Sequence, residues 1–176
     1  LFKKCKEVYQ SSPTLPPLVK CNERSMILSN GSEIVSLPGK PDNIRGFSAP
    51  RLIIIDEAAF ASDQLYRAVR PMLAVGHGTL AILSSPFGKR GFFHSEYATI
   101  QDALRRGDTP MWHYIEVPAS IVPRITPSFL QEERISLGPM FDQEYSCKFL
   151  DSEVAMFSYE LVQQALDSGA EYERWF

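Results

Sequence analysis

Cysteine is scarce in this sequence, and no hydrophobic run is long. Cys5, Cys21 and Cys147 are an odd number, lie far apart, and form neither a Cys-x-x-Cys pair nor a cluster with paired histidines. That argues against a disulfide framework or a zinc site and fits a reducing compartment. The longest apolar runs, such as residues 52–55, are far too short to cross a bilayer, so no membrane partner is expected. No basic segment followed by an apolar one opens the chain, as a secretory leader would. Positive charge is not in excess either. The formal net charge is -3, so any contact with nucleic acid has to come from a local patch. What is present is 44% hydrophobic and 22% charged residues over 176 positions, the composition of a globular domain with a real core. Opening on Leu1 and stopping at Phe176, the chain reads as a segment of a longer polypeptide.

Turn signals and periodicity divide the chain. Residues 1–10 have the character of a helix end, and 11–17 form a proline-rich break. Two short β-type runs, 26–29 and 33–37, flank Asn30-Gly31, a pair that tolerates the positive φ of a type I′ hairpin turn. A loop over 38–49 leads to 52–55, an unbroken apolar run that predicts a strand buried on both faces. Residues 63–73 have helical spacing, with Ser62 or Asp63 as cap, and Gly76-His77-Gly78 breaks it. A second apolar strand is predicted over 79–83, an amphipathic helix over 91–106 stopped by Gly107, and a third strand over 112–117. Helices over 127–137, from 139 to about 147, and over 158–166 complete the reading. Alternating strands and helices from residue 51 onward predict an α/β fold with a parallel sheet, preceded by a β-hairpin.

Chemistry concentrates at Leu52-Ile53-Ile54-Ile55-Asp56-Glu57. Acids at the carboxyl end of a buried strand sit where open α/β sheets place ligands. Four apolar residues followed by Asp-Glu form the Walker B pattern of P-loop-type ATPases. There, Asp56 would hold Mg2+ through water beside a nucleotide's phosphates, and Glu57 would orient or deprotonate the attacking water. The bland alternative is a helix beginning at Glu57 and capped by Asp56.

One helix later, the second strand ends in Ser84-Ser85-Pro86. Hydroxyls at that edge can bond the attacking water or the γ phosphate in a sensor or coupling role; alternatively they merely satisfy a strand-to-turn junction. Arg45, beside Gly46 in the preceding loop, can act as a catalytic arginine presented to a neighbouring subunit, or stand as a solvated loop cation. Lys89 and Arg90 lie between glycines and can approach a DNA backbone, whereas Phe92 and Phe93 open a helix and read as core. His77, His94 and His113 have no metal-ligand spacing and read as surface or packing residues.

The order SNGSEI, LPG, IRGFSAPRLIIIDEAAF, LAILSSPFGKRGFF and EYSCKFLDSEVAMFS resembles the ATPase domain of tailed-phage terminase large subunits, over roughly residues 25–168. The resemblance implies a partial P-loop NTPase fold of the ASCE/RecA-like kind, with ATP and Mg2+ as cofactors. Asp56 matches the Walker B aspartate and Glu57 the catalytic glutamate. Ser84 and Ser85 fall on the coupling motif, and Arg45 near the trans-acting arginine of a homo-oligomeric ring. Implied partners are double-stranded DNA, a portal protein and a small terminase subunit, in the cytoplasm of a bacterial host and transiently on a procapsid. Residues 1–150 would be an incomplete ATPase domain and 151–176 a junction toward an RNase H-like nuclease domain beyond Phe176. A helicase-like ATPase and a non-catalytic α/β binding domain stand as alternatives. One departure is plain: no Gly-x-x-x-x-Gly-Lys-Ser/Thr phosphate loop occurs in these residues, and in the family that loop precedes the segment.

Overall fold

Asn30 and Gly31 turn the chain back on itself, but not with the expected type I′ geometry. Only Gly31 takes positive φ (+81°), its N–H bonding the Leu28 carbonyl at 2.9 Å while Asn30 Oδ1 accepts the Ser32 N–H. The result is a hairpin loop with one left-handed glycine, because the Asn30 side chain closes its own local turn. The computed structural model containing it describes residues 1–39, 44, 47 and 49–151. The helix expected over 158–166 and the junction over 152–176 fall outside these residues, as does Arg45.

Contacts divide the chain into two units, one made of Leu1–Asp56 and Asp63–Ala81, the other of Glu57–Ser62 and the chain from Ile82 onward. The first unit begins with α1 (Phe2–Gln10) and an antiparallel sheet of β1 (Leu18–Cys21), β2 (Ser25–Leu28) and β3 (Glu33–Val35), in the order β1-β2-β3. Met26 and Leu28 are buried while Ser25 and Ile27 are half-exposed, the alternation of a strand with one face on a core. β1 has no such signature. All four of its residues are exposed, and its register with β2 slips between Leu18 and Lys20, so periodicity offered nothing to find it by.

β4 (Leu52–Ile55) and β5 (Thr79–Ile82) form the second sheet and run parallel. Thr79 N–H bonds the Arg51 carbonyl at 2.9 Å where the pair begins. Between them in sequence, α2 (Asp63–Gly76) buries Leu65, Tyr66 and Val69 at helical spacing and carries Pro71 within it. It runs three residues past its expected end. Burial of β4 on both faces is not what the structure has: Ile55 is buried at 6%, but Leu52 is 54% exposed. An apolar run without alternation predicts two covered faces only if layers exist to cover them, and among the described residues β4 pairs with β5 alone.

In the second unit, α3 (Gly91–Arg106) ends as its sequence predicts. Gly107 takes φ +77° and donates to the Ala103 and Leu104 carbonyls. α4 (Pro127–Leu137) starts at Pro127, with the Thr126 hydroxyl accepting the Phe129 N–H. The helix expected from 139 to about 147 is a 3₁₀ turn, Gly138–Met140, followed by the short α5 (Phe141–Tyr145). The Phe141 and Tyr145 rings lie 5.2 Å apart on one face.

The third parallel strand predicted over 112–117 does not form. Among the described residues the segment has no ladder partner, and side chains hold it to α3: Trp112 Nε1–H donates to Glu96 Oε2 at 2.7 Å, and Tyr114 meets Tyr97 edge-on at 5.8 Å. Alternating aromatic and aliphatic residues mimic a strand, but ring packing consumes one side while Ile115 and Val117 face solvent. Among the described residues, no helix is long and apolar enough to cross a membrane.

Candidate functional site

Asp56 closes the β4 end of the first unit, and Glu57 opens the second. Both are exposed. Glu57 does not begin an α-helix. It adopts the left-handed conformation (φ +52°, ψ +45°) ahead of a short 3₁₀ turn, Ala58–Phe60, while the α-helix itself starts six residues later at Asp63. A residue with a Cβ holds that conformation at a cost of about 1 kcal/mol. Such strain persists only where surroundings over-determine it, and it gathers at functional sites.

The surroundings are visible. Ala58, 1% exposed, donates its N–H to the Leu83 carbonyl at 3.0 Å. Glu57 and Ser84 are thus the immediate chain neighbours of one backbone hydrogen bond. Phe60 and Phe87 then stack with centroids 4.3 Å apart, and α3 packs against the same turn. The acid-bearing turn and the serine turn are therefore joined twice within one unit, once through backbone and once through rings. Aromatic pairs of this kind contribute about 0.5–1.5 kcal/mol beyond the area they bury.

Ser84 is half-buried, and its Oγ is buried without a hydrogen-bond partner among the described residues; Ser85 is exposed and Pro86 buried. Arg45 cannot be compared, since it lies outside the described residues. Lys89 sits with its ammonium 3.3 Å from Asp151 Oδ1 and its side chain only 15% exposed, whereas Arg90 is exposed and lies over the Phe87 ring at 4.9 Å. Phe92 is buried, and Phe93 packs on Phe149 at 5.9 Å, as expected of core residues. Sequence reasoning missed three members of this neighbourhood. Phe60 and Phe87 stand inside the two motifs but were not paired. Gln143, whose Oε1 accepts the Gly88 N–H at 3.0 Å across 55 positions, carries no local signal at all.

His94 lies under this loop, buried, with Phe149 edge-on at 5.0 Å and Tyr97 at 6.4 Å. Burial holds its pKa below the ordinary 6.5, the Lys89 charge pushes it further down, and Asp151 works in the opposite direction. A folded-state pKa below the unfolded one means that the native protein binds fewer protons near pH 6. Stability is then fully present above 6.5 and is lost as pH falls through the depressed value. Melting temperature is expected to drop as pH falls below 6.5, and to drop less in His94→Phe. Equal losses in both proteins would exclude His94 as the cause.

A cleft of about 320 Å³ opens elsewhere in the second unit, lined by residues including Leu130, Arg134, Phe141 and Tyr145. None of Glu57, Ser84 or Ser85 lines it.

The architecture is a mixed α/β fold with a parallel strand pair whose carboxyl ends carry acids on one strand and hydroxyls after the other. It is the fold of a terminase ATPase domain. The solved structure of a mutant large terminase ATPase domain from Thermus phage P74-26 matches it with a TM-score of 0.58 and 22% sequence identity, over 75% of this chain and 56% of that one. The chain thus spans little more than half of the matched domain. No protein-family model matches the sequence, and no curated protein does.

Proposed function

We propose that this chain is part of the ATPase core of a viral DNA-packaging terminase large subunit, which in the intact protein hydrolyses ATP to drive double-stranded DNA into a procapsid. The observation that carries this reading is the strained Glu57, joined to the serine turn by the Ala58–Leu83 hydrogen bond. The exposed Asp56 carboxylate at the end of β4 offers oxygen to a hard cation. Mg2+ takes only one or two carboxylates, with phosphates and water completing its shell. When bound, it supplies positive charge against the nucleotide's terminal phosphates.

In this mechanism Asp56 would hold Mg2+ through water. The Glu57 carboxylate orients the attacking water and accepts its proton. The Ser84 hydroxyl, buried and without a partner among the described residues, bonds the water or the γ phosphate, and Ser85 reports loss of that phosphate along the loop. Arg45 acts in trans within a homo-oligomeric ring. Of the two cations after the serines, Arg90 is better exposed to meet a DNA backbone, because Lys89 is committed to Asp151. A portal protein and a small terminase subunit would be partners, in the host cytoplasm, with a nuclease domain elsewhere in the polypeptide. A helicase-like ATPase would share the acid pair; likeness in fold to a packaging ATPase favours the motor.

The phosphate loop's amides and lysine supply most phosphate binding in this enzyme class, and these residues contain none. The 176-residue chain alone is therefore expected to show no ATP turnover, and the intact protein to hydrolyse ATP and move DNA. Phosphate release assays on both decide it. An inactive intact protein would remove the motor reading. Turnover by the isolated chain that Glu57→Gln abolishes would show that these residues hold nucleotide by themselves.

A further inference from the structure

Two buried side-chain polar atoms lack a hydrogen-bond partner among the described residues: Ser84 Oγ and Gln143 Nε2. They belong to one unit and to the two ends of one connection. Gln143, on α5 and 3% exposed, accepts the Gly88 N–H through Oε1 at 3.0 Å. An N–H can meet only the oxygen of the carboxamide, so the amide orientation is fixed by its partner and the NH₂ group is left without an acceptor. Packing alone would be served better by a methionine of similar length, which would leave no buried donor unpaired. What glutamine adds here is the acceptor for Gly88.

Gly88 follows the serine turn by three residues and takes φ +65°, a conformation that L side chains rarely adopt. Its own successor is tied down as well, Lys89 to Asp151. On the other side, Phe87 is held by Phe60, three positions beyond Glu57. The loop carrying Ser84 and Ser85 is thus gripped from the acid side by a ring and from α5 by a hydrogen bond.

We infer that Gln143 is a positioning residue for the Ser84-Ser85 turn, fixing through the Gly88 amide where the two hydroxyls stand relative to Glu57. It touches no substrate and acts through the loop. The inference rests on reading the site as one that hydrolyses a nucleoside triphosphate, and adds to that reading the residue that sets its geometry. Withdrawing the acceptor loosens the turn. The chemical step slows, while nucleotide affinity, supplied elsewhere, is unchanged.

The test uses the intact protein with Gln143→Met, which removes the acceptor, and Gln143→Glu, which keeps an oxygen for Gly88. Gln143→Asn, too short to reach, stands in for the methionine variant should that one fail to fold. Loss of the acceptor is expected to lower kcat about tenfold with KM for ATP within about twofold, and to speed hydrogen exchange at the Gly88 amide about tenfold. Gln143→Glu is expected to recover most of both. Unchanged Gly88 exchange in the acceptor-less variant, unchanged kcat, or a glutamate variant no better than it would each overturn the inference. A wild-type protein without turnover would instead sink the ATPase reading, whatever Gly88 exchange shows.

Discussion

Replacing Glu57 by glutamine in the intact protein is expected to slow ATP hydrolysis on the order of 10² to 10⁴-fold while leaving nucleotide binding nearly intact. The substitution keeps the length, the hydrogen-bonding reach and the Cβ of the side chain, so the left-handed backbone at this position costs about the same as before. Ala58 retains its bond to Leu83, and Phe60 its stack on Phe87. What disappears is the carboxylate that, in the proposed mechanism, takes a proton from water. Binding should survive because the groups that hold phosphates in this enzyme class are not at Glu57. Nucleotide titration alongside single-turnover hydrolysis separates the two effects. Turnover equal to wild type would remove Glu57 from the mechanism, and a parallel loss of binding would recast it as a ligand of the nucleotide's metal.

The largest effect on stability is expected from Gly78→Ala. A Cβ at this position would lie 2.1 Å from the Pro50 carbonyl oxygen and 2.8 Å from Leu73 Cδ2. The leucine can rotate away; the carbonyl belongs to the backbone leading into β4 and cannot. One residue on, the Thr79–Arg51 hydrogen bond begins the parallel pair, so moving Pro50 to relieve the clash breaks the first rung of that ladder. Overpacking against backbone at such a site costs about 3 kcal/mol. Gly76 offers a graded comparison, since its added Cβ would meet the Ala49 carbonyl at 2.9 Å, and Gly76→Ala should cost less. Denaturant melts of the three proteins check the order. A Gly78→Ala midpoint equal to that of the parent would mean that the β4 entry is looser than this geometry requires.

The two predictions probe different layers of one design. Gly78 lets the strands meet, and Glu57 follows the end of the first of them. The strained turn that carries Glu57 is tied by the Ala58–Leu83 hydrogen bond and the Phe60–Phe87 contact.

Much of the framework was legible in the residues because its causes are local. Gly107 stops α3, Thr126 and Pro127 start α4, and an apolar run closing on Asp56-Glu57 marks a strand end bearing acids. Each signal acts within one turn of chain, so the sequence determined these elements, and the motif order pointed to the terminase ATPase fold by itself. Other features depend on residues far apart, and only the tertiary structure decided them. Residues 112–117 carry strand-forming side chains but pack their rings on α3, because a strand also needs a partner. Leu52 reads as core yet is exposed, because burial is a property of the layers around a strand. The left-handed Glu57, the Phe60–Phe87 stack and the grip of Gln143 on Gly88 had no local signal. Backbone strain and long-range hydrogen bonds are imposed by contacts that close only when the chain has folded, and such contacts arrange this site.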